Sequence, residues 1–145
     1  KIAIKRGKKL LVEALKQGQT GPYQLQAAIS AVHSDAADWA ATDWPQIVGL
    51  YSAIDALTPN PIVRLNRAVA CANAGDLARA LQDLEGLKSD LVNYQPFYAA
   101  RAELRSRNGQ VEAAKLDYAA AIKYSQNLAE RRYLSAKLEA LAHQP

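Results

Sequence analysis

The chain has 145 residues, half of them apolar and 22% charged, with seven glycines, six prolines and one cysteine, a composition that excludes a disordered polar tail. A chain of this length buries roughly two-thirds of the surface its unfolded form exposes, so a core forms without disulfide or metal staples. The net charge of +4 is uneven: residues 1–17 carry six basic side chains against Glu13 alone, and the remainder is close to neutral.

An all-α fold follows from 29 alanines, few β-branched runs and apolar stripes at helical spacing between Gly, Pro and Asn breakers. A first helix is expected over Ile2–Lys16, ending before Gly18–Gly21, and a second from Pro22, with Leu25, Ile29 and Val32 on one face until Ser34-Asp35. Asp43 opens the third as its N-cap, with Gln46 placed to reach back, and Ile47, Leu50 and Ile54 form its buried stripe. Thr58-Pro59-Asn60-Pro61 separates it from a fourth, which aligns Leu65, Ala68, Val69 and Ala72 and closes at Gly75. Asp76 caps a fifth bearing Leu77, Leu81 and Leu84. The sixth follows Pro96, the seventh follows Gly109, and the eighth runs from about Asn127 to Ala142. Eight helices make four hairpins. The eighth, with Leu134, Leu138 and Leu141 in a stripe among charges, reads as a solvating cap.

The spacing of these hairpins repeats. Gly75 and Gly109 are 34 residues apart, as are Ala80 and Ala114, Ala68, Ala102 and Ala136, and Leu50, Leu84 and Tyr118. A period of 34 is the tetratricopeptide (TPR) length. Small residues let two antiparallel helices approach, a large residue fills the space a turn away, and Gly closes the helix in a left-handed conformation. The expected architecture is therefore an α-α superhelix of degenerate TPR-like repeats over 43–145, with an N-terminal hairpin over 1–42 packed on them. The degeneracy is explicit: Arg67 and Arg101 stand at equivalent positions where the repeat pattern has apolar residues.

Little here supports catalysis. The two histidines are His33 and His143, and no Cys or His spacing offers a metal three or four ligands. His33-Ser34-Asp35 holds the residue types of a hydrolytic triad, but neighbours on a helix point about 100° apart and cannot converge. Cys71, among alanines, reads as a small buried thiol. The expectation is a non-enzyme without cofactor, metal or small-molecule substrate. A lone cysteine cannot form an internal disulfide and no apolar run approaches the roughly 20 residues of a membrane span, so the expected location is cytoplasmic, with no membrane partner. A chain that begins at Lys1 and lacks methionine reads as a piece of a longer protein. The basic segment 1–17 reads most simply as a solvated helix face, since Lys9 and Glu13 stand one turn apart; contact with phosphate or an acidic surface is its other use.

One stretch is more specific than a period. Gly21-Pro-Tyr-Gln-Leu-Gln-Ala-Ala-Ile-Ser-Ala-Val-His33, followed by Thr42-Asp-Trp-Pro-Gln-Ile-Val-Gly-Leu-Tyr51, Pro59-Asn-Pro-Ile-Val-Arg-Leu-Asn-Arg-Ala-Val-Ala70, Tyr98-Ala-Ala-Arg-Ala-Glu-Leu104 and Ala129-Glu-Arg-Arg-Tyr-Leu134, resembles the C-terminal TPR-like extension of extracytoplasmic-function (ECF) type bacterial RNA polymerase sigma factors. The resemblance implies a parent protein that directs RNA polymerase to promoters, and an extension that regulates this by contacting the sigma core of the same chain or the polymerase. Promoter DNA would be met only through N-terminal regions not present in this sequence. Carried over residue by residue, the motifs give Tyr23, Gln24, Gln26, His33, Trp44, Asn66, Arg67 and Arg101 as candidate interaction residues. Glutamines on an otherwise apolar helix offer directional hydrogen bonds, and aromatic and Arg side chains dominate interface energetics. Their plainer uses are a polar layer between helices, hairpin packing and a wet helix face. The other functional class is a TPR-like adaptor that takes a peptide of another protein in trans; exposed Arg64, Asn66 and Arg101 along the groove would favour it.

Overall fold

The computed structural model describes residues 43–143. Among them are six helices and no strand: α1 (Trp44–Leu57), α2 (Pro61–Asn73), α3 (Leu77–Glu85), α4 (Gln95–Arg107), α5 (Val111–Lys123) and α6 (Leu128–Ala142). These correspond to the third to eighth expected helices. The first two, the hairpin assigned to 1–42 and the basic segment 1–17 lie outside the described residues. The chain clusters into two compact units that divide between Ala74 and Gly75.

In the first unit, α1 and α2 form a hairpin. Asp43 caps α1 by accepting from the Gln46 backbone N–H at 3.3 Å. The reciprocal half of the capping box is not made: Gln46 Oε1 is buried without a hydrogen-bond partner among the described residues. Pro59 and Pro61 force the stop, and Asn60 restarts the chain by accepting from Ile62 N–H at 2.8 Å, with Pro61 in the first turn, where a missing donor costs nothing. Ile47, Leu50, Tyr51 and Ile54 of α1 and Leu65, Ala68 and Ala70 of α2 are buried. Trp44, Val48, Ala53 and Val63 pack at the edge of this core.

The second unit begins at Gly75, whose φ of +107° is the left-handed turn expected there, and Asp76 caps α3 through the Arg79 N–H at 3.3 Å. The segment from Gly86 to Tyr94 is not a bare loop. It coils through successive turns, including Leu87 N–H to Leu84 and Tyr94 N–H to Leu91, and buries Leu87 and Leu91. The Tyr98 hydroxyl fastens it by donating to the Val92 carbonyl at 2.6 Å. Helices α4 and α5 form the tightest hairpin, joined through Gly109 at φ +79°. Phe97, Ala102, Ala114 and Ala121 there have no exposed surface. Burying each large apolar side chain contributes roughly 1.5–3 kcal/mol, and the alanines let the helices come close enough to do it. Asn127 caps α6 through the Glu130 N–H at 2.8 Å, and Leu134 and Leu141 are its buried stripe beneath charged residues.

The 34-residue register survives in burial. Leu50, Leu84 and Tyr118 are all buried, as are Ala80 and Ala114, and Ala68 and Ala102. It fails at Ala136, which is exposed on α6.

Candidate interaction site

The most developed polar constellation lies in the second unit, where α3, α4 and α5 meet. Arg101 and Arg105 are four residues apart on α4 and therefore share a face. Asp117 projects from α5, three residues after Ala114 on the same buried stripe. The Arg101 Nε donates to both Asp117 oxygens at 3.2 and 3.1 Å, and its Nη2 donates to Oδ1 at 2.9 Å. Arg105 Nη1 adds a bond to Asp117 Oδ2 at 2.9 Å. Glu85, the last residue of α3, completes the set: its Oε1 accepts from Arg101 Nη1 at 3.2 Å and from Arg105 Nη2 at 2.9 Å. Two positive and two negative charges therefore cancel. The side chains of Arg101 and Asp117 are only 6% and 4% exposed, whereas that of Glu85 is 56% exposed. Beneath the guanidinium of Arg101 lie the rings of Phe97, 5.0 Å from its centroid, and Tyr98, at 5.8 Å.

Arg101 is thus on neither a wet helix face nor an exposed groove, contrary to what its sequence position suggests. An Arg at a packing position of the repeat can be buried because Asp117 is supplied opposite it. Burying either charge alone costs several kcal/mol, so the two are tolerated together. Asp117, Glu85 and Arg105 are not among the residues that the sequence motifs pick out. The signals in the sequence are the i,i+4 pair Arg101/Arg105 and an acid inside the Ala114–Tyr118–Ala121 stripe.

A smaller cluster occupies the first unit. Asp55 accepts from Asn60 N–H at 3.0 Å and from Arg64 Nε at 3.1 and 3.0 Å, and Arg67 Nη1 lies 4.0 Å away. Burial raises the Asp55 carboxyl, but the Asn60 amide and the two guanidiniums outweigh it and hold it below the usual carboxylate range. Asn66 and Arg67 are half-buried on α2, and Trp44 is half-buried against the hydrophobic core. Cys71 is also half-buried. Tyr23, Gln24, Gln26 and His33 lie outside the described residues, so the structure brings no more than Asn66 and Arg67 of the candidates together on one helix.

On α4 and α5, Tyr118 donates to Glu103 Oε2 at 3.4 Å. Burial first, and the neighbouring Glu103 carboxylate second, push its hydroxyl up to about 12. A cleft of about 190 Å³ opens between the start of α4 and the start of α6, walled by Tyr94, Pro96 and Tyr124 and edged by Asn93, Gln126 and Glu130. That is below the roughly 300 Å³ at which small-molecule pockets begin. Among the described residues no three His, Cys, Asp or Glu side chains are grouped to hold a metal ion, and no helix is long and apolar enough to cross a membrane.

Comparison with known proteins bears on the fold first. The chain is similar to the first TPR domain of human RPAP3, solved by NMR, with a TM-score of 0.55 and 20% identity over 99% of this chain and 95% of that one. It is also 35% identical, over 136 residues and 94% of its length, to an uncharacterized protein of Rhizobium meliloti (strain 1021). The chain spans about a third (32%) of the length of that relative. No family model matches. Helices at a 34-residue register, two left-handed glycines one period apart and this structural likeness together give the chain a TPR-like helical fold.

Proposed function

We propose that the chain is a protein-interaction module which, in a longer parent, acts on the other regions of that same protein. The observation that carries this is the fold: TPR-like hairpins in which the two buried charged side chains among the described residues, Arg101 and Asp117, neutralise each other and stiffen a scaffold. Such arrays present helical surface to other polypeptides. The motifs from Gly21-Pro-Tyr-Gln through Ala129-Glu-Arg-Arg support placing the module as the C-terminal extension of an ECF-type sigma factor, contacting the sigma core or RNA polymerase. The greater length of the Rhizobium relative is compatible with such a parent. Tethering sets a high effective concentration, so even a weak contact shifts the population able to engage polymerase. Tyr23, Gln24, Gln26, His33 and Trp44 are the residues proposed for it, together with Asn66 and Arg67.

The test is promoter-driven transcription by the parent protein, intact and truncated before Lys1, together with calorimetric titration of residues 1–145 into the truncated remainder. Changed output and measurable binding are expected. Unchanged output with no binding refutes the intramolecular reading.

A second reading, an adaptor that binds a peptide of another protein in trans, is favoured by Arg64, whose side chain is 42% exposed on α2. Arg101 does not contribute to it, being buried. Intact transcription after truncation would direct the search there.

A further inference from the structure

We propose that Arg101 and Arg105 form a carboxylate-binding seat that Glu85 occupies in cis, and that an acidic side chain of a partner protein takes the same seat by displacing Glu85. The proposal deepens the interaction reading, on which it rests only in taking the incoming carboxylate to belong to a protein.

Three features of the network separate Glu85 from the rest. First, the two N–H groups that reach it come from different arginines and converge on a single oxygen, Oε1, at 3.2 and 2.9 Å. That convergence defines a position for one anionic oxygen, whoever supplies it. Second, Glu85 is by far the most exposed member, at 56%, and it sits at the last position of α3, where its side chain can turn to solvent without disturbing a helical hydrogen bond. The side chain of Arg105 is 21% exposed, so the seat has an open side. Third, the arginines do not depend on Glu85 for their orientation. Asp117 holds Arg101 by three hydrogen bonds and Arg105 by one, and the Phe97 and Tyr98 rings support the Arg101 guanidinium from below.

When Glu85 swings away, two guanidiniums remain against one buried carboxylate. The seat then carries one uncompensated positive charge, held rigidly in a partly dry setting. Glu85 is thus an internal competitor: it keeps the site neutral and fully hydrogen-bonded in the absence of a partner, and raises the threshold for any acid that would bind. A preorganised receptor with a tethered occupant binds weakly until the occupant is removed.

The experiment titrates a fluorescein-labelled acetyl-hexaglutamate peptide with residues 1–145 by fluorescence anisotropy at low ionic strength. Glu85→Ala should bind at least tenfold more tightly than the unaltered chain, and Glu85→Gln should show a smaller gain. Glu112→Ala removes the same charge from an exposed α5 position paired with Lys115 and should leave binding unchanged. Adding Arg105→Met to Glu85→Ala should abolish the gain. The proposal is overturned if Glu85→Ala melts like the unaltered chain yet binds no better than Glu112→Ala, if the gain survives Arg105→Met, or if no variant binds the peptide. Should Glu85→Ala fail to fold, Glu85→Gln takes its place, and binding no tighter than that of Glu112→Ala overturns the proposal in the same way. Inorganic phosphate that competes as well as the peptide would overturn the assignment to a side-chain carboxylate. This titration uses no transcription, so it and the promoter assay fail independently.

Discussion

Replacing Asp117 by Asn keeps the shape of the side chain and removes its charge, leaving the Arg101 guanidinium with Glu85 as its sole ionic partner among the described residues. Four charge-assisted hydrogen bonds end on Asp117, and both Asp117 and Arg101 are almost wholly excluded from water. Breaking one side of a buried pair costs about 3–5 kcal/mol, because the remaining charge stays desolvated. Against a total stability of roughly 5–15 kcal/mol that is a fifth or more. At about 4 °C per kcal/mol for a chain of this size, the melting temperature should fall by roughly 12–20 °C. Arg101→Met, which keeps the unbranched stem over Phe97, should cost less, since Asp117 retains Arg105 at 2.9 Å. The decisive measurement is the double variant. If the two charges exist to neutralise each other, Arg101→Met with Asp117→Asn should be at least about 1.5 kcal/mol more stable than the sum of the single losses predicts, within the usual range of coupling for neighbouring residues. Urea denaturation followed by circular dichroism at 222 nm gives all four corners of the cycle. Strict additivity, or a loss below about 1 kcal/mol for Asp117→Asn, would refute the reasoning.

Other perturbations follow from local geometry. Gly109 adopts φ +79° with open space around its missing Cβ, so Gly109→Ala should cost about 1–2 kcal/mol from backbone conformation alone, whereas Gly49→Ala inside α1, with nothing within 4 Å, should stabilise by about 0.5–1 kcal/mol; thermal melts separate the signs. The Tyr118 hydroxyl, raised to about 12, keeps its proton in the folded chain while the unfolded chain ionises near 10. Its contribution is complete below pH 10 and lost as pH rises from 10 to 12, and Tyr118→Phe should remove a step near pH 12 from the 295 nm absorbance titration. Asp55 is depressed, so its contribution is present above pH ~4 and disappears as pH falls through its lowered folded value. Asp55→Asn should make acid unfolding less steep at the low end of that range, measured by urea midpoints between pH 2 and 5.

Much of the fold is legible in particular residues. Asp43, Asn60, Asp76 and Asn127 cap the helices they precede because a short polar side chain can accept from the N–H groups that a helix start leaves unpaired. Gly75 and Gly109 mark left-handed turns because a Cβ makes that conformation costly for other residues. The segment from Gly86 to Tyr94 escapes the pattern, since Leu87 and Leu91 are buried by turns too short to establish a period. The site is harder to read. Local spacing can place Arg101 beside Arg105, but whether a charged residue is wet or buried depends on what a distant residue brings to it. Asp117 lies sixteen positions away on another helix. In the sequence, Arg101 therefore looks like surface: the acid inside the Ala114–Tyr118–Ala121 stripe marks Asp117 as out of place, but nothing local pairs it with Arg101 or points to Glu85.

The pairing across α4 and α5 has a consequence for how such an array can change. In an idealised repeat protein the modules are interchangeable, because every seam is lined with the same grease and any hairpin will stack on any other. Here one seam is keyed by charge. A consensus helix spliced in for α4 or α5 alone would strand Asp117 or Arg101 in a dry interior, so drift inside this hairpin has to proceed through coordinated double exchanges, whereas recombination of the whole α4–α5 hairpin carries both charges away together and leaves behind only the exposed Glu85.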